Sequence, residues 1–278
     1  MLLRYLAYTL ALIWLIHAFW PEPVHAQQQP APVSQCQAIA EAMPAATFVG
    51  FAAPPAATPA AAAAGEEVSI TFLGHSTFLI ETPGGVSIAT DYNGWFRTAA
   101  PPTVVTMNKA HSSHYTLTPD PAIRHVLHGW GEDGEPARHD LVVGDTYIRN
   151  VTTDIRSGFD GMEPNGNSIF IFEVAGLCIG HLGHLHYELD DSHYRQIGRL
   201  DVLMVPVDGG LTMGAESMSR VVSRLRAALI LPMHRPLTNA FLAMFGDDFD
   251  KSFATGPTVK VSLRSLPSKP LIYVLQGV

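Results

Sequence analysis

The sequence predicts an α+β domain in which two β-sheets pack together and helices cover them on the outside, and the pattern also admits a simpler α+β sandwich. Two observations predict this class. Short apolar runs bounded by turn residues outnumber helical patterns along the chain. The clearest helical pattern comes late, over Glu216 to Ala227, where apolar residues recur at the spacing of one buried helix face.

The predicted strands form two groups. A meander around the turn Thr82-Pro83-Gly84-Gly85 opens the domain. This first group comprises Val68 to Phe72, Ser76 to Glu81, Val86 to Thr90 and Val104 to Met107. The second group comprises Tyr147 to Val151, Ser168 to Glu173, Leu177 to Gly180, Val202 to Val207 and Leu229 to Leu231, with Thr258 to Leu263 and Leu271 to Leu275 closing the chain.

Composition divides the 278 residues into three parts. Arg4, an apolar run from Tyr5 to Trp20 and the small-residue pattern Val24-His25-Ala26 are typical of a secretory signal peptide over residues 1–26. The alternative is an uncleaved membrane anchor, which would be the only membrane contact. Residues 27–65 are rich in Gln, Pro and Ala and are predicted to form an extended linker. Residues 66–278 are long enough for one domain with its own core.

Charge and cysteine content restrict the partners and the compartment. The chain has 17 Lys+Arg against 25 Asp+Glu, and no basic cluster, so we expect no nucleic-acid partner. The leader predicts a periplasmic or secreted domain, where disulfides can form. Cys36 and Cys178 are the two cysteines, and they could pair, or Cys178 could stay a buried free thiol in its apolar run.

Histidines stand at the ends of three predicted strands. His111 and His114 follow the strand that ends at Met107, and His234 follows the strand at Leu231. The densest group is His181-Leu182-Gly183-His184-Leu185-His186, where His184 and His186 would share one face unless the chain turns at Gly183. Neutral imidazole is a good ligand for zinc and other first-row divalent ions. Histidines of this kind can also be surface residues or hydrogen-bonded core residues.

Several segments resemble, in order and spacing, the metallo-β-lactamase superfamily, in the branch of ascorbate-6-phosphate lactonase and N-acyl-phosphatidylethanolamine phospholipase D. They are Ile70 to Glu81 with its Gly74-His75 pair, Ile88 to Asp91, His181 to His184, Asp201 to Gly210 with Met213, and Pro232-Met233-His234. The resemblance covers nearly all of residues 66–278. It implies an αββα four-layer sandwich with a metal site at one edge of the two sheets.

The chain departs from the family's metal ligands. In the His-x-His-x-Asp-His motif, Lys109 stands at the first His and Ser113 at the Asp, so only His111 and His114 remain. The segment Thr152 to Arg156, where the family has its third His, contains none, and His184 stands at the bridging Asp. The resemblance therefore implies one divalent ion, zinc or else manganese or iron, held by four histidines, namely His111, His114, His184 and His234.

Other residues receive supporting roles in this interpretation. Lys109 would act as an electrophile or bind an anionic group, and Ser113 would position the water. His75, Asp91 and His181 would orient the ligating imidazoles by hydrogen bonds, although Asp91 could equally be a turn-capping carboxylate. Three nitrogen ligands would leave a position for water, whereas four would close the site and make it structural.

The leading hypothesis is a secreted, metal-dependent hydrolase that cleaves an ester, lactone, amide or phosphodiester by metal-bound hydroxide. The substrate class follows from the resemblance alone: a small molecule, anionic or lipid-like. The alternative is a noncatalytic metal-binding or envelope-associated relative that kept the fold and lost the activity.

Overall fold

The computed structural model describes residues 33–37, 66–96, 98–157, 161–235 and 237–278, and the elements below are those of these residues. Two β-sheets form the body of the domain. The strands of the first half are β1 Val68–Gly74, β2 Thr77–Glu81, β3 Ser87–Ala89, β4 Val104–Met107, β5 His125–His128, β6 Asp140–Val143 and β7 Thr146–Ser157. Those of the second half are β8 Gly161–Val174, β9 Leu177–His181, β10 Val202–Pro206, β11 Leu229–Met233, β12 Asp250–Phe253, β13 Thr258–Val261 and β14 Leu271–Val274.

The two sheets face each other across the main core. The six-stranded sheet has the order β13-β1-β2-β3-β4-β5, and the eight-stranded sheet has the order β12-β14-β11-β10-β9-β8-β7-β6. Side chains alternate along each strand, so Val202 and Met204 of β10 join the core between the sheets, whereas Leu203 and Val205 point to the opposite face. Because both faces of β10 and β11 are covered, every residue of these two strands is buried.

Three α-helices in the described part of the chain cover the outer face of the eight-stranded sheet. They are α1 Asp191–Ile197, α2 Ala215–Leu225 and α3 Thr238–Leu242. The apolar stretch from Ala240 to Phe245 belongs to this helical layer, since Phe241 and Phe245 are buried in its core. On the outer face of the six-stranded sheet the described residues form loops, with a small cluster around Met107. No helix within the described ranges is long and apolar enough to cross a membrane.

The predicted α+β fold with two packed sheets is confirmed. Of the two outer helical layers that the resemblance implies, the described residues form the one on the eight-stranded sheet, and the other differences concern single elements. β7 and β8 are longer than predicted because they continue as a hairpin with a polar outer end. The sequence analysis missed β5, β6 and β12, which are four-residue strands at or near sheet edges and carry polar or charged residues. Such strands lack the apolar pattern that identifies central ones.

The two cysteines form a disulfide that joins the predicted linker to the domain. Cys36 is bonded to Cys178 of β9, and both are buried. The carboxylate of Glu173 accepts hydrogen bonds from the Ser34 hydroxyl at 2.5 Å and from the Gln35 main chain at 3.0 Å. Residues 33–37 are thus held on the outer face of the sheet. The predicted signal peptide, residues 1–26, and the rest of the linker lie outside the described residues.

Strand direction concentrates the functional residues at one edge. β9, β10 and β11 are parallel neighbours, so their carboxyl ends lie side by side. In the other sheet β3 and β4 are also parallel, and their carboxyl ends lead to Asp91 and to the loop that contains His111 and His114. Ligand sites are commonly built where several strand ends meet.

Candidate metal centre

Five histidines meet at this edge, and we call them the histidine cluster: His75, His111, His114, His184 and His234. They form two groups of three, which share His114. In each group the potential ligand nitrogens all lie within 4.8 Å of one another. His114, His184 and His234 are buried, His75 is half-buried, and His111 is exposed. Loops after β1, β4, β9 and β11 supply them, so both sheets contribute.

A buried carboxylate orients His114. Nδ1 of His114 lies 2.6 Å from Oδ2 of Asp91, whose other oxygen accepts a hydrogen bond from Nδ2 of Asn108 at 2.8 Å. Asn108 is itself fixed, because its Oδ1 accepts from the main-chain N–H of Ser168 at 2.7 Å. With Nδ1 bonded to the carboxylate, Nε2 is the nitrogen of His114 that remains for a ligand. Asp91 therefore lies where an orienting group was expected.

His234 has the same arrangement with a residue that the sequence analysis did not select. Nδ1 of His234 lies 2.8 Å from Oδ2 of Asp208. Oδ1 of Asp208 accepts from the main-chain N–H and the hydroxyl of Thr212, each at 2.8 Å. The signal was available, since Asp208 follows β10, the neighbour of the strand that ends at His234. It lay within the Asp201 to Gly210 signature, but no role was assigned to it.

His184 is fixed through its backbone and leaves its ring free. Its main-chain N–H donates to Oδ1 of Asn167 at 2.7 Å. Gly183 turns the chain with φ 62°, and a Cβ there would collide with Asn167 and Asn108. Both ring nitrogens of His184 and Nε2 of His234 are buried, and none of them has a hydrogen-bond partner among the described residues. Buried polar nitrogens without partners are costly, and a metal ion would satisfy them.

Burial disfavours the charged form of four imidazoles of the cluster, and it lowers the pKa values of His75, His111, His114 and His184. It lowers the pKa of His75 to about 4, with the neighbouring His234 and His111 adding to the effect. It also lowers the pKa of His114 and of His184 well below the ordinary value. The pKa of Asp208 is also lowered: burial opposes ionisation of this carboxyl, but its hydrogen bonds from His234 and Thr212 outweigh burial. The lone pairs of these four imidazoles are therefore available to a metal near neutral pH, and the Asp208 carboxylate lies behind His234.

A serine lies between two members of the cluster. Oγ of Ser113 is 2.8 Å from Nε2 of His75 and 2.6 Å from Nδ1 of His111. One hydroxyl has a single proton, so it donates to one of these nitrogens and can accept from the other. Ser113 thus bridges the half-buried and the exposed members of the cluster.

The remaining predicted residues take other positions. Lys109 forms an ion pair with Glu163, and none of its contacts in the described part of the chain is with the cluster. His181 bonds the carbonyl of Ser76 at 3.0 Å and accepts from the Gly183 N–H at 3.1 Å, so it holds the turn before His184 rather than an imidazole. The chain does turn at Gly183. The His186 ring lies beside that of His184, with centroids 4.7 Å apart. Its nitrogens are occupied, since Nε2 bonds the carbonyl of Leu211 and Nδ1 accepts from the Arg156 N–H.

A family model described as Beta-lactamase superfamily domain matches residues 69–234, more than half of the chain. The chain belongs to the metallo-β-lactamase superfamily. This match includes every member of the histidine cluster, together with Asp91 and Asp208. The narrower branch named above stays a prediction.

Relatives of this superfamily member are named for metal-dependent hydrolysis. A UPF0173 metal-dependent hydrolase of Methanoculleus marisnigri is 24% identical over 214 residues, which cover 70% of this chain and 93% of the relative. One of Carboxydothermus hydrogenoformans is 27% identical over 92 residues, so the match spans only 41% of that protein and 33% of this chain. Among solved structures, a Thermotoga maritima protein assigned to the Zn-dependent hydrolases of the superfamily has a TM-score of 0.56 and 26% identity, covering 75% of this chain and 98% of that one.

Proposed function

We propose that this superfamily member is a metal-dependent hydrolase whose divalent ion binds to His114, His184 and His234. One observation carries the proposal: the buried ring nitrogens of His184 and Nε2 of His234 have no hydrogen-bond partner among the described residues. One ring nitrogen from each of His114, His184 and His234 lies within 4.8 Å of the other two. An all-imidazole set of this kind fits zinc, and it also suits iron. His111 is a further candidate ligand from the exposed side.

The protein residues around the ligands prepare them for an ion. Asp91 and Asp208 each accept the Nδ1 proton of a ligand, which fixes the tautomer and presents Nε2 inward. No carboxyl group is itself in the ligand set, so Asp91 and Asp208 lie one imidazole away from the ion. An ion with neutral ligands keeps more of its electrophilic character than one bound by carboxylates directly.

The chemistry follows from this arrangement. When bound, a divalent ion would lower the pKa of a water molecule and polarise the scissile ester, lactone, amide or phosphodiester group. Ser113 would orient the water or hold its proton, since its hydroxyl lies between His75 and His111. Lys109 could attract an anionic substrate only by leaving Glu163, its partner in the ion pair.

We also propose that the domain acts in the periplasm or outside the cell. The Cys36–Cys178 disulfide supports this location, because disulfides persist in oxidising compartments and are rare in the cytosol. The leader pattern of residues 1–26 points the same way.

The test is hydrolysis by the purified full chain of a panel containing a nitrophenyl ester, a lactone, an amide and a bis-nitrophenyl phosphodiester. We expect activity on at least one class, its loss after chelation and its return with Zn²⁺ or Mn²⁺. His184→Ala should remove it, and His125→Ala, which removes a histidine on β5, should not. Activity that survives thorough chelation would refute the proposal. Metal binding without activity on any class would favour a noncatalytic metal-binding relative.

A further inference from the structure

We propose that His75 is itself a ligand of the ion, supplying a nitrogen where this chain lacks the family's carboxylate ligands. The inference rests on the proposed metal site. The sequence analysis gave His75 only an orienting role, yet its Nε2 lies beside Nε2 of the proposed ligand His114.

The distance between two nitrogens carries the inference. Nε2 of His75 lies 3.2 Å from Nε2 of His114. Two nitrogens bound to one tetrahedral zinc at the usual bond length are about 3.3 to 3.4 Å apart. Because Nδ1 of His114 is bonded to Asp91, an ion on His114 has to lie beyond its Nε2, on the side where His75 presents its own nitrogen.

The backbone holds His75 in this place at a conformational cost. His75 has φ 52°, a left-handed backbone conformation that residues other than glycine rarely adopt, and Gly74 before it has φ 143°. His234 also has a positive φ of 65°, and its N–H donates to the carbonyl of His75 at 3.2 Å. Strained residues of this kind cluster at functional sites.

Ring packing couples His75 to the proposed ligand His234. The two imidazoles stack with centroids 4.2 Å apart and planes 13° from parallel. Such a stack suits two neutral rings, and it holds the His75 ring against that of the proposed ligand His234. Oγ of Ser113 also lies 2.8 Å from Nε2 of His75, so this contact has to give way when that nitrogen binds the ion.

A fourth imidazole ligand decides where a reacting water could bind the ion. With His75, the proposed ligands number four imidazoles, the number that a tetrahedral zinc takes. Nε2 of His75 would have to approach the nitrogens of His184 and His234, because in this structure it belongs to the group of His111 and His114. A reacting water would then enter as a fifth ligand, as catalytic zinc sites allow, or in place of one imidazole. His75 is the least buried of the four.

Two isosteric variants test the proposal in the full chain. His75→Asn tolerates the positive φ and removes the nitrogen ligand, whereas His75→Asp has the same shape and offers a carboxylate ligand. With Zn²⁺ as the probe, we expect Asn to weaken binding by at least about 100-fold and Asp to restore much of it. A role in packing alone would make the two variants equal, or Asp the weaker, because a buried carboxylate is costly without an ion.

X-ray absorption at the zinc edge gives the direct readout. The number of imidazoles around zinc should fall by one in His75→Asn and stay the same in His125→Ala. An unchanged imidazole count with unchanged affinity in His75→Asn would overturn the assignment while leaving the proposed metal site intact. Failure of the wild-type chain to bind Zn²⁺ would instead overturn the proposed function, so the two failures are distinct.

Discussion

The disulfide between Cys36 and Cys178 should contribute strongly to stability, and its removal has a calculable effect. The two residues are 142 positions apart. In the chain-entropy model, a cross-link over a loop of this length stabilises the folded state by about 5 kcal/mol at 25 °C. Both sulfurs are buried, so a Cys36→Ala, Cys178→Ala double variant also loses some packing. We expect its free energy of unfolding to fall by about 2 to 5 kcal/mol.

Urea denaturation followed by circular dichroism measures this effect. Wild type with a reducing agent should approach the double variant, and the double variant should not respond to the reducing agent. Ser34→Ala is the matched control, since it removes one hydrogen bond of the same segment to Glu173 and keeps the cross-link. It should cost about 1 kcal/mol. A double variant within about 1 kcal/mol of wild type would refute the assumption that the disulfide constrains the unfolded chain.

Three further outcomes follow from the site. Asp208→Asn should weaken Zn²⁺ binding by about 10- to 100-fold in a titration, because the imidazole of His234 loses its fixed tautomer. An unchanged affinity for Zn²⁺ would contradict the orienting role of Asp208. Gly183→Ala should weaken Zn²⁺ binding at least about tenfold, since the new Cβ would displace Asn167 or the turn that carries His184. A wild-type affinity for Zn²⁺ in this variant would show that the turn can adapt. In the metal-free chain, burial lowers the pKa of His75 to about 4 and also lowers the pKa values of His114 and His184. Below pH 6.5 the unfolded state therefore binds more protons than the folded state, and the urea midpoint should fall as the pH is lowered from 6.5 to about 4. A urea midpoint that does not change over this range would contradict this.

Strand ends could be located from the sequence because apolar runs identify buried strands. The predicted strands β9 and β11 placed His184 and His234 after two strands that lie parallel on either side of β10. The predicted strand β4 placed His114 after a strand of the other sheet. The convergence of these histidines then follows from sheet geometry, since the carboxyl ends of parallel strands share an edge. The short, polar edge strands were beyond this reasoning, because they have no apolar periodicity.

The ligand set could be predicted only in part, because it depends on local turns and long-range contacts. The selection of His184 over His186 depends on the turn at Gly183 and on its cradle of Asn108 and Asn167, which come from distant segments. The inward position of His75 depends on a left-handed residue in the turn after β1. Neither feature has a signal in the spacing of residues along the chain.

The pairing of the two cysteines could not be predicted from the sequence either. Cys178 lies in an apolar strand, which suits a buried thiol as well as a disulfide. What decides the matter is the docking of residues 33–37, held by Glu173 and by the bond from the Arg199 N–H to the Cys36 carbonyl at 3.0 Å. A segment predicted as a tether therefore belongs in part to the domain.

The central claim is that the histidine cluster binds a metal ion, and elemental analysis of the purified full chain tests it most directly. Wild type and His125→Ala should contain about one equivalent of divalent metal per chain, and His184→Ala and His234→Ala should contain almost none. Wild-type protein without metal, which also fails to take up Zn²⁺ after careful reconstitution, would contradict the claim. The buried imidazole nitrogens would then require another partner.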